Sequence, residues 1–121
     1  MHWREFEILA RKVMANYFGV DLKENSLQGI PKRFDMVSED GSCIGDAKYL
    51  SLVKRTRTPP AKFMEIGSHV WLLEKTNAKH RFLVFGNQRE VPEFWLKKYG
   101  GVVHGIEFFF IHENGALEKM L

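Results

Sequence analysis

Asp35 and the triplet Asp46-Ala47-Lys48 are the residues of this chain whose types and spacing suit hydrolytic chemistry. They lie in the stretch running from Lys32 to Leu50, two apolar-rich runs joined by Glu39-Asp40-Gly41. That pattern predicts strand, turn, strand. Side chains alternate along a strand, so Asp46 and Lys48 project from one face while Ala47 points to the other. Asp35, on the neighbouring strand, reaches that face near the strand ends. Two converging carboxylates need a cation between them, so the expected arrangement is a divalent-metal site with an ammonium beside it. A plainer arrangement competes with it: Asp46 and Lys48 as an ion pair on the solvated face of an edge strand. Gly45 and Ala47 leave little bulk on the opposite face, which suits a strand packed closely against a helix. Ile44 and Leu50 flank the acid and the lysine on their own face, so those two charges sit among apolar neighbours, a costly placement unless it serves a purpose.

The elements that must position these residues follow from periodicity. From Trp3 to Tyr17, Phe6, Leu9, Ala10, Val13, Met14 and Tyr17 recur at helical spacing, with Arg4, Arg11 and Lys12 opposite. Glu7 falls on the edge of the buried face near Ala10 and Met14, and Glu5 on the other border. Both are also first-turn acids that complement the helix dipole. Residues 21–30 are polar and read as a loop or a short edge strand. Ser51–Thr58 reads as a basic loop holding Lys54, Arg55 and Arg57. Thr58-Pro59 opens a second helix, with Phe63, Ile66, Val70 and Leu73 as its buried stripe. Arg81–Phe85 is a strand, Pro92–Tyr99 a third helix closed by Gly100-Gly101, and Glu107–Ile111 a last strand. A turn at Asn114-Gly115 precedes a short tail. Helices alternating with strands around a hairpin give an α/β sandwich.

The order of these elements resembles the PD-(D/E)XK nuclease superfamily over roughly the first two-thirds of the chain. The matching residues are Phe6-Glu7 on the first helix, Asp35, and Asp46-x-Lys48, followed by a helix and a strand. Phe34 stands where proline is usual, and Asp46 where glutamate is commoner. The resemblance implies a restriction-endonuclease-like fold, a small central mixed sheet flanked by helices, as a single nuclease-like domain over residues 1–121. It implies a Mg²⁺-dependent nuclease acting on DNA, with Mn²⁺ able to substitute. Glu7, Asp35 and Asp46 with the Ala47 carbonyl would hold the metal. Lys48 would orient the attacking water and offset transition-state charge. Glu65 on the second helix is a spare acid that could replace Glu7. Lys54, Arg55, Arg57 and Lys62 would contact phosphates, aided by the N-terminus of the second helix. The alternative is a nucleic-acid-binding module of the same fold without turnover.

Composition sets wider bounds. The 121 residues suit one domain, and 18 Lys and Arg against 15 Asp and Glu give a net charge of +3. That mildly basic balance is compatible with nucleic acid without being diagnostic of it. A single cysteine, Cys43, excludes an internal disulfide or a thiolate zinc cluster, and reads as a core or sheet residue. The five histidines show no metal-ligand spacing and read mostly as surface residues. Trp71 and Trp95 fit helix core stripes, and Asn87, Gln88 and Arg89 are weaker candidates for DNA contact. Neither a signal peptide nor a membrane-length apolar run is present, so a cytoplasmic location is expected. Phe108-Phe109-Phe110 has two readings, a homodimer surface or a central core strand.

Overall fold

The computed structural model describes residues 1–51 and 60–121. Helix α1 (Trp3–Phe18) is followed by β1 (Lys23–Leu27), β2 (Ile30–Val37) and β3 (Cys43–Leu50), then α2 (Pro60–Glu74), β4 (His80–Asn87), α3 (Glu90–Tyr99), a short 3₁₀ turn, β5 (Glu107–Ile111) and β6 (Leu117–Lys119). The six strands form one mixed sheet in the order β1-β2-β3-β4-β5-β6. The β1/β2, β2/β3 and β5/β6 pairs are antiparallel, and β3, β4 and β5 are mutually parallel.

The parallel centre explains its own sequence. Strands buried on both faces read as continuous apolar runs rather than alternating ones. Phe108 and Phe110 pack towards α2 and α3 with Ile66, Val70, Leu73 and Trp95, whereas Phe109 packs towards α1 with Ala10 and Met14. All three phenylalanines are buried on β5, between β4 and β6. The core-strand reading therefore holds, and the aromatic run offers no dimer surface. Residues 21–30 contain an edge strand, and the tail after Asn114-Gly115 pairs with β5 as a three-residue strand that periodicity is too short to detect. Helix α3 begins at Glu90, so Pro92 lies in the first turn, where a missing N–H costs little.

Two glycines make room for aromatic rings. A Cβ on Gly45 would lie 2.4 Å from the Phe82 ring, and one on Gly86 would lie 2.3 Å from the ring of Phe6 on α1. Both positions admit only hydrogen: Gly45 makes room for the Phe82 ring of the neighbouring strand, and Gly86 lets Phe6 of α1 seat directly on β4. At the N-terminus of α1, His2 Nδ1 accepts the Arg4 N–H at 3.1 Å and Glu5 accepts the His2 N–H at 3.4 Å. Glu5 is thereby a helix-capping residue. Among the described residues, no helix is long and apolar enough to cross a membrane.

Candidate active site

The β2/β3 ladder is the feature that builds the site. Paired register extends over Met36↔Gly45 and Val37↔Ile44 and then stops. Beyond it, two carboxylates replace the backbone ladder. Asp46 Oδ1 accepts the Asp35 N–H at 2.9 Å, and Asp35 Oδ2 accepts the Ala47 N–H at 2.9 Å. This reciprocal capture satisfies backbone donors that strand separation would orphan, and it locks the two aspartates beside each other where the strands splay.

A cavity of about 370 Å³ opens at that point, its charged lining being Glu7, Asp35, Glu65, Lys32, Lys48 and Lys62. Of the two acids on α1, the helix thus delivers Glu7. The Glu7 carboxyl is held above the usual range, first by burial and then by the Asp35 charge and a hydrogen bond with Asp35. Glu65, on α2, takes the Lys48 ammonium at 2.7 Å and Lys62 at 3.4 Å. It is the salt-bridge partner of the lysines rather than the mate of Asp35.

Asp46 is completely buried and lies beneath the cavity rather than on its wall. Its Oδ2 is 3.0 Å from Lys32 Nζ and 3.3 Å from His69 Nδ1. Neither contact is an aligned hydrogen bond, so this oxygen is a buried acceptor without a well-formed donor. Burial, followed by the repulsion of Asp35, pushes the Asp46 carboxyl up to about 6 against the pull of Lys32. His69 goes the other way, down to about 3, through burial and then the nearby Lys48 and Lys32 charges. Its Nε2 lies 3.3 Å from Lys48 Nζ.

No family model, curated protein or solved structure matches this chain. The site has to be read from its own chemistry.

Glu7, Asp35 and Lys48 meet in one cavity, and Lys62 joins them. Lys54, Arg55 and Arg57 lie outside the described residues. Ala47 contributes its N–H to Asp35. The expectation of surface histidines fails for His69, which is largely enclosed, its side chain 12% exposed. The helical stripe carried the signal, because His69 falls between Ile66 and Leu73 on the buried face of α2. Lys32 was equally legible, since alternation places it on the face of Phe34, over whose ring its ammonium sits at 5.4 Å. Arg89, a weaker candidate for DNA contact, is engaged by Glu118 at 2.6 Å and by Glu93. Trp95 is a core residue as expected, but Trp71 is exposed. It lines a separate, mainly apolar groove of about 570 Å³ between α2 and α3.

Among the described residues, no three His, Cys, Asp or Glu side chains form a ready metal-binding cluster. The donor chemistry at Glu7 and Asp35 nevertheless fits a hard cation. Mg²⁺ is usually held by one or two carboxylates, its remaining positions filled by water and substrate phosphate. Two crowded carboxylates in an open cavity provide that. For Asp46 to become a third ligand, its Oδ2 must exchange Lys32 for the ion.

The buried pair also predicts a pH signature. Asp46 binds its proton more tightly folded than unfolded, so its contribution to stability is full below its ordinary value of 3.8 and lost as the pH rises through about 6. His69 opposes it: its contribution is full above 6.5 and lost as the pH falls towards about 3. Asp46→Asn removes the first of these. The stability of the variant relative to the native protein should therefore improve by on the order of 2 kcal/mol between about pH 4 and about pH 7. Urea denaturation at the two pH values measures this, and an equal difference at both would show that Asp46 is not elevated.

Proposed function

We propose that the protein is a metal-dependent nuclease of the PD-(D/E)XK type, hydrolysing phosphodiester bonds in DNA on a restriction-endonuclease-like fold. The observation that supports this best is the crowding of Glu7 against Asp35 beside the Lys48 ammonium, in a cavity open to a ligand. Glu7 and Asp35 would hold Mg²⁺, with Mn²⁺ as a substitute. When bound, such an ion polarises the scissile phosphate and lowers the pKa of its water. The protein's own groups do the rest. Lys48 donates to the incoming water or to a phosphate oxygen, and stabilises charge as it develops. Lys62, at the rim, offers a second cation to the phosphate. The Asp46 carboxylate holds the Asp35 backbone, and so the ligand itself, in place. Lys54, Arg55 and Arg57 would add positive charge for phosphate contacts.

A second reading, a DNA-binding module without turnover, draws on the ion pairs themselves. Lys48–Glu65 and Lys32–Asp46 already neutralise one another without a metal. Nicking of supercoiled plasmid with and without Mg²⁺ separates the two. The nuclease nicks only with the ion, and Lys48→Ala lowers the rate by at least about a hundredfold while retaining metal binding by calorimetry. DNA binding without cleavage in either ion would establish the module instead.

A further inference from the structure

We infer that His69 is a positioning residue for this site, its neutral imidazole bridging Asp46 and Lys48 and thereby fixing where the Lys48 ammonium points. The inference rests on the nuclease reading of Lys48 and assigns a role to a side chain outside the acid–acid–lysine set. It follows from counting donors. A lysine ammonium has three N–H donors and no acceptor. Two of them are spent on Glu65 Oε1 at 2.7 Å and on His69 Nε2 at 3.3 Å. Since Lys48 can only donate, Nε2 must be the acceptor, and the ring proton resides on Nδ1. That nitrogen lies 3.3 Å from Asp46 Oδ2, within reach of it but not aligned for a hydrogen bond, and the same buried oxygen faces Lys32. A chain of contacts therefore runs from Glu65 through Lys48 and His69 to Asp46, and on to the Asp35 N–H.

Glu65 and His69 lie one turn apart on α2, so a single helix presents both acceptors to Lys48. A lysine without them swings on a flexible four-carbon stem. Held by both, Lys48 keeps one N–H for a ligand in the cavity that it lines. Misplacement of a catalytic group by about 1 Å costs on the order of a hundredfold. A ring that acts in this way should control turnover more than substrate affinity.

The test compares His69→Leu with His69→Gln. Leucine fills the space and offers nothing to Lys48. Glutamine supplies a carbonyl for Lys48 and an N–H for Asp46, with no charge at any pH. Under Mg²⁺, His69→Leu should lower kcat on plasmid by about thirtyfold to a hundredfold with KM changed by less than about threefold, and His69→Gln should recover to within about fivefold of the native rate. Nitrogen-15 spectra of the native ring, recorded without metal or substrate, should show the proton on Nδ1, with Nε2 as the unprotonated acceptor. A ring protonated on Nε2, a leucine variant as active as the native protein, or leucine and glutamine variants equally impaired would each overturn the inference while leaving the nuclease reading intact. A native protein that cleaves no DNA with either ion would remove that reading and the role together, whatever the tautomer.

Discussion

Asp35→Asn should abolish Mg²⁺-dependent nicking while leaving the protein at least as stable as before. The combination of the two outcomes is what makes the result informative. An asparagine carbonyl can still accept the Ala47 N–H that Asp35 Oδ2 accepts at 2.9 Å, so the splayed junction between β2 and β3 survives. What disappears is one negative charge from a crowded place. The Asp35 charge raises the Glu7 and Asp46 carboxyls, in each case as the largest influence after burial. Without it both neighbours ionise more easily, which favours the folded state near neutral pH. The metal loses half of its proposed carboxylate pair, and the rate should fall by at least about a hundredfold. Plasmid nicking and thermal unfolding on the same preparation provide both readings. Retained activity would move the site elsewhere. A loss of more than about 2 kcal/mol of stability would mark the carboxylate as structural.

The sequence made the elements legible where periodicity runs long. The α1 stripe of Phe6, Ala10 and Met14, the α2 stripe of Ile66, Val70 and Leu73, and the apolar runs of β4 and β5 each announce their buried faces. Strand β6 was not legible, because three residues cannot display a period. Glu7, Asp35 and Lys48, singled out by helix angle, strand alternation and the family resemblance, line one cavity. The orientation of Asp46 was not legible, because alternation gives a face and not a depth. Its position beneath the cavity depends on how α2 closes over β3, which brings in His69, and on Lys32 folding over Phe34. The reciprocal carboxylate capture between β2 and β3 is likewise a tertiary event. It depends on the ladder stopping at Met36↔Gly45, and no residue type in the hairpin marks that point.

Substituting Gly86 by alanine should show how strictly the sheet dictates the site, although Gly86 touches none of the charged groups. The added methyl would fall 2.3 Å from Phe6 Cε1 and 2.7 Å from Cζ. Phe6 is 2% exposed, its ring packs against Tyr49 with centroids 5.2 Å apart, and it borders the site cavity. Relief by lifting the start of α1 would cost about 2–3 kcal/mol. Because Glu7 is the next residue on that helix, the lift also separates its carboxyl from Asp35 and weakens the proposed metal site. Gly86→Ala should therefore lower both stability and cleavage. A second change, Phe6→Leu, tests the cause. Alone it should cost about 1–2 kcal/mol of packing, but with Gly86→Ala it removes the atoms that collide. The double variant should accordingly be more stable than the sum of the two single losses predicts, by about 1 kcal/mol or more. Cleavage should recover in parallel if α1 settles back and Glu7 returns to Asp35. Strict additivity would mean that the methyl is accommodated elsewhere and that α1 is not held at this point. Restored stability without restored cleavage would instead uncouple the seat of α1 from the chemistry, and Glu7 from the metal.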